Sequence, residues 1–140
     1  EGRSLIHSWH SLALLFGLGT RAPARAQFPD LTEASGRYQD PVSRAAADYN
    51  RGARTMKKAE KQRAAGETEK ARKTFERAKE DFSKAVGLQP NYFDALLGLG
   101  QAHLALGNSE SARDACGRAL GLQTSSPEAR ACFDAAYMPV

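Results

Sequence analysis

The sequence predicts an all-α protein built of antiparallel helical hairpins stacked on one another, with a single helix closing the far end. Three observations carry this. Small and apolar residues recur at spacings of three and four along most of the chain after Asp40, which keeps one stripe on one helix face. Gly and Pro punctuate those stripes at Gly66, Pro90, Gly107 and Pro127. No segment alternates as a strand would, and a block of sequence recurs after 34 residues.

Asp40-Pro41 supplies an N-cap followed by Pro at the first helical position. The first helix then carries Val42, Ala45, Tyr49, Gly52, Met56 and Ala59 on one stripe and runs to Ala65. Gly66 marks the turn, and Glu67 and Glu69 place negative charge where the next helix begins. Ala71, Phe75, Ala78, Phe82 and Ala85 form the facing stripe, ending at Gly87-Leu88-Gln89-Pro90. Folded back antiparallel, small residues on one helix receive Phe rings from the other.

Asn91 is read as the cap of a third helix reaching Leu106, with Leu96, Leu97, Leu99, His103, Leu104 and Leu106 apolar or inward. Gly107-Asn108 breaks it. Ser109 opens a fourth helix, whose stripe is Ala112, Ala115, Cys116, Ala119, Leu120 and Leu122. Ser126-Pro127-Glu128 starts a fifth, ending near Tyr137.

The recurrence sets Gly87-Leu88-Gln89-Pro90 against Gly121-Leu122-Gln123-Thr124. Around them Lys84-Ala85-Val86 answers Arg118-Ala119-Leu120, Asp94-Ala95 answers Glu128-Ala129, Leu99 answers Phe133, and His103 answers Tyr137. A 34-residue period in a helix-turn-helix chain resembles the tetratricopeptide repeat. Leu96, Leu99-Gly100, His103, Gly107, Ala112, Cys116 and Ala119 stand at that family's marked positions, as do Ala78, Phe82, Ala85 and Pro90 one repeat earlier. Leu96, His103 and Cys116 replace its usual Trp, Tyr and Phe.

The resemblance implies a short tetratricopeptide-like superhelix over residues 41–138. Residues 41–90 make an elongated hairpin whose helices are each about two turns longer than usual, 91–124 a second repeat, and 126–138 a capping helix that presents Glu128, Arg130 and Asp134 to solvent. It also implies a protein-binding scaffold with a concave groove. Tyr49, Ala53 and Met56 in the first unit and Asp94, Leu97, Gln101, Leu104 and Ala105 in the second are the expected groove residues. The Lys and Asn clamp by which some relatives hold a terminal carboxylate is not matched there, so a peptide or partner helix with an apolar face is the expected ligand. The alternative is a structural or assembly subunit of an envelope complex, self-associating through the basic elongated hairpin.

Residues 1–26 read differently. Arg3, the apolar run Leu12 to Leu18 and the small-x-small site Ala24-Arg25-Ala26 follow the order of a secretory signal peptide, with an amphipathic helix packed on the domain as the competing reading. The run is well short of the roughly 20 residues that span a bilayer, so no transmembrane anchor is expected. Residues 27–40, with Pro29 and Gly36 and no periodicity, read as a linker. Together these predict a small bacterial-type exported protein, periplasmic or secreted. Cys116 and Cys132, the only cysteines, are compatible with one disulfide or with two small buried thiols.

Composition excludes more than it assigns. Between Arg51 and Lys84 there are 12 Lys or Arg and 6 Asp or Glu. Acids interspersed among them, and helix pairs such as Glu69-Lys73 and Glu76-Lys79, make this a solvated face with some anionic preference, and no nucleic-acid partner is expected. His103 is the one histidine after residue 26, and no nucleophile with an orienting acid has a recognisable spacing around it. Gly98 and Gly100 follow no strand and precede no Lys-Ser or Lys-Thr, so they are no phosphate loop. No enzyme, cofactor or metal site is expected.

Overall fold

The computed structural model describes residues 39–138, and the predicted signal peptide and almost all of the predicted linker lie outside them. Five helices follow in order: α1 (Pro41–Ala64), α2 (Thr68–Leu88), α3 (Phe93–Ala105), α4 (Ser109–Leu122) and α5 (Pro127–Ala135). The described residues contain no strand. α1 packs along α2, α3 along α4, and each hairpin leans on the next through α2 against α3 and α4 against α5.

Local chemistry sets the boundaries. Asp40 caps α1 by accepting from the Ser43 N–H at 2.9 Å, and Ser126 caps α5 by accepting from the Ala129 N–H at 3.2 Å. Pro41 and Pro127 each occupy the first turn, where a missing N–H is harmless. Both hairpin turns are the same device. Gly66 and Gly107 take φ of 80°, and the residue after each donates back across the turn, Glu67 to the Gln62 carbonyl at 2.9 Å and Asn108 to that of His103 at the same distance. A left-handed glycine thereby satisfies carbonyls that the helix end would leave open.

Repetition is visible in the backbone. α3 and α5 begin 34 residues apart, and α2 and α4 end 34 residues apart. Gln89 and Gln123 close their helices at φ, ψ of −138°, 90° and −133°, 84°. Tyr92 donates to the Gln89 carbonyl and Ser126 to that of Gln123, both at 3.1 Å. Ala85, Ala95, Ala119 and Ala129, the paired positions of the two blocks, are all fully buried in one cluster with Leu96. Alanines there let the helices approach closely, and larger side chains fill the space between units.

Several expectations are corrected. α1 has 24 residues against 13 in α3, and α2 has 21 against 14 in α4, so the first hairpin is longer by about three turns in one helix and two in the other. Val42 is 60% exposed, and the buried stripe of α1 begins at Ala45 and continues past Ala59 to Gln62. Asn91 caps nothing. The Tyr92 to Gln89 turn takes up Pro90 and Asn91, the cap position falls on Tyr92, and no side chain caps α3. Leu122 is 43% exposed at the end of α4. Glu69 pairs with Arg72 at 3.2 Å instead of with Lys73, whereas Glu76 does reach Lys79 at 2.7 Å.

Candidate functional site: a groove between α1 and α3

The floor of the site is aromatic. Phe82, 2% exposed, lies between Gly52 of α1 and Gly98 of α3. A Cβ at Gly52 would stand 2.9 Å from the ring, and one at Gly98 only 2.7 Å. Two helices thus close on one side chain because neither carries a side chain at the contact. Burying such a ring stabilises by about 3 kcal/mol.

Above this floor Tyr49 stands 5.9 Å from Phe82 and 5.3 Å from Tyr92, centroid to centroid, and forms one end wall. A depression of about 240 Å³ follows, lined on the α1 side by Ala53, Met56, Lys57 and Glu60 and on the α3 side by Asp94, Leu97 and Gln101. It continues through Met56, Glu60 and Gln101 into a second depression of about 360 Å³ bounded by Arg63, Phe75, Leu104 and Ala105. Arg63 lies over the Phe75 ring, 5.2 Å from its centroid, a cation–π contact that holds the guanidinium at the rim.

All eight residues expected in the groove line these two depressions. The sequence reading did not place Lys57, Glu60 or Arg63 there, although each follows Ala53 or Met56 at helical spacing. Phe75 and Phe82, core rings by their spacing on α2, are also the floor. The result is a trough that is mainly apolar at the Tyr49 end and more polar at the Arg63 end, rimmed by charge of both signs, which suits a partner with an apolar stripe flanked by polar residues. Burial pushes the Tyr49 and Tyr92 hydroxyls up from their usual range, with Asp94 adding to the effect, so both remain neutral donors.

His103 is half-buried beside the groove on the α2 side. Burial and the Lys79 ammonium push its imidazole below the ordinary value, and Glu76 opposes them. Among the described residues no group of three or more His, Cys, Asp or Glu could hold a metal ion.

At the far end Cys116 of α4 and Cys132 of α5 are joined, their Cα atoms 5.7 Å apart. Gly100 makes room for the pair: a Cβ there would lie 3.0 Å from the Cys132 sulfur and closer still to that of Cys116. The glycines of α3 therefore serve two large neighbours, Gly98 the ring of Phe82 and Gly100 the sulfurs. Residues 64–132, taking in α2, α3, α4 and most of α5, match the family model described as tetratricopeptide repeat.

The chain carries a tetratricopeptide repeat.

Tetratricopeptide repeats are in general protein–protein interaction modules, and the family is one of non-catalytic scaffolds. The tetratricopeptide match begins at Ala64, so the groove wall supplied by α1 lies outside it. Compared with curated proteins, the chain has no significant match. No helix among the described residues is long and apolar enough to cross a membrane.

Proposed function

We propose that the protein is an interaction scaffold that holds a peptide or partner helix in the groove between α1 and α3. The observation that carries this is the continuous trough open to solvent, mainly apolar at the end formed by Tyr49, Met56, Phe82 and Leu97, more polar toward Arg63 and Leu104, and bordered by Lys57, Glu60 and Asp94. A helix presenting apolar residues at i, i+3, i+4 and i+7 with mixed charges beside them is the fitting ligand. The test is selection from a display library of amphipathic helical peptides, followed by titration of the best binder. Met56→Glu and Leu97→Glu should each weaken it at least tenfold, whereas Arg130→Gln on α5 should leave it unchanged. Selected peptides whose affinity ignores both groove substitutions would remove the reading.

The net positive charge of the elongated hairpin favours a second reading, an assembly subunit of an envelope complex that associates with itself. Concentration-dependent light scattering separates the two, since a monomer at every concentration excludes self-assembly.

We further propose export to an oxidising compartment, periplasmic or extracellular. Support comes from the signal-like order of residues 1–26 and from Cys116 and Cys132 standing within bridging reach. Mass spectrometry of protein from its native source should find an amino terminus at Gln27 and no free thiol. A thiol-reactive population with residues 1–26 retained would contradict export.

A further inference from the structure

The flank of the elongated hairpin turned away from α3 carries two parallel rows of basic residues. On α1 the flank toward the groove is Tyr49, Ala53, Met56 and Glu60, so the opposite flank at helical spacing is Arg44, Arg51 and Lys58. On α2 Phe82 and Val86 turn toward α3, and the opposite flank is Lys70, Arg77 and Lys84. Both rows repeat every seven residues, and all six side chains belong to exposed residues. The Arg51 Nε to Asp81 Oδ1 contact at 2.8 Å joins the rows across the hairpin and fixes them on one face.

Neutralisation on this face is partial. Arg51 is taken up by Asp48 and Asp81, and Lys70 by Glu67 at 3.0 Å. Arg44, Lys58, Arg77 and Lys84 form no ion pair with any described residue; Glu80 neighbours Arg77 and Lys84 on the helix and pairs with neither. The remaining acids of the hairpin lie elsewhere, Glu60 in the groove and Glu69 and Glu76 bound to Arg72 and Lys79. Asp48, Glu67, Glu80 and Asp81 thus stay among the six basic residues, while Glu60, Glu69 and Glu76 lie off the face, which leaves an excess of positive charge along about 21 Å at 1.5 Å per residue.

We propose that this face docks the protein on an anionic lipid surface. Two antiparallel helices side by side present their charges in one plane, which matches a layer of headgroups. None of the exposed large apolar side chains lies on the face, so it lacks the apolar centre of a protein interface. No aromatic side chain stands among the basic ones to stack on a nucleic-acid base. Attraction without insertion gives reversible, salt-sensitive adsorption. Because the groove opens on the other flank of α1, a docked molecule keeps it free for its ligand, and the docking stands whether or not the groove binds a peptide.

The test is flotation of the full chain with vesicles of phosphatidylcholine alone and with one-third phosphatidylglycerol. Binding is expected only to the anionic vesicles and is lost at about 1 M salt, where screening falls to about 3 Å. Replacing Arg44, Lys58, Arg77 and Lys84 with Gln should weaken binding about fivefold for each charge removed and several hundredfold together, with the helical circular dichroism unchanged. Arg118→Gln with Arg130→Gln, away from the face, should leave it intact. Equal binding to neutral vesicles, binding that survives the fourfold variant, or retention of duplex DNA without retention of anionic vesicles would each overturn the proposal. Loss of peptide binding in Met56→Glu with vesicle binding intact separates this surface from the groove.

Discussion

Phe82 and Gly98 fit each other as ring and gap: the ring of α2 lies where any side chain at position 98 would begin. This contact, with Gly52 on the opposite side, joins the first hairpin to the second and forms the groove floor in one step. Gly98→Ala gains about 1 kcal/mol of helix propensity but forces the ring out of place, at a cost of about 1–3 kcal/mol. Net destabilisation is expected in urea unfolding, and Phe82→Leu in the same chain should recover part of it. An alanine variant more stable than the parent would show that the ring moves freely.

Reduction of the Cys116–Cys132 bond opens a 16-residue link. A loop of that size contributes about 3 kcal/mol in the chain-entropy account. Thermal unfolding with and without reductant should show a marked drop in Tm, reproduced by Cys132→Ala. Identical curves would mean that packing alone holds α5.

Gln62 is 8% exposed, and its side-chain carbonyl has no hydrogen-bond partner. Methionine has a similar length and no such group, so Gln62→Met should stabilise by about 1 kcal/mol in the same urea assay. A loss of stability would reveal a partner such as an ordered water.

His103 provides a pH dependence of fixed sign. Its folded pKa lies below the usual imidazole value of about 6.5, so the unfolded chain binds the proton more readily. The contribution is intact above the unfolded value and is lost as pH falls through the folded one. Tm measured from neutral to mildly acidic pH should decline less in His103→Gln than in the parent. Parallel profiles would exclude the effect.

Much of this was legible in the sequence because it is repetitive. The 34-residue recurrence placed Ala85 with Ala119 and Ala95 with Ala129, and Gly66, Gly107 and Pro127 marked the turns through their backbone demands. Periodicity failed at helix ends, where it counts a face but not the extent of its partner: Val42 and Leu122 belong to apolar stripes and remain exposed. Asn91 has the right chemistry for a cap, but the turn closed by Tyr92 carries the chain one residue further. The groove was reached through family resemblance, and its charged rim was missed because Lys57, Glu60 and Arg63 look like ordinary surface residues until α3 stands opposite them. The excess of positive charge on one flank of the first hairpin is hidden for a related reason, since it depends on which flank α3 covers.

The cross-link also governs how the carboxy-terminal end can breathe. A nine-residue terminal helix packed chiefly on α4, with a smaller contact to α3, would ordinarily fray by itself, exchanging its amide hydrogens long before the rest. Tied through Cys132 to the middle of α4, it cannot depart alone, so deuterium uptake in α5 should keep pace with that of α4 until reductant is added and the two become separate units.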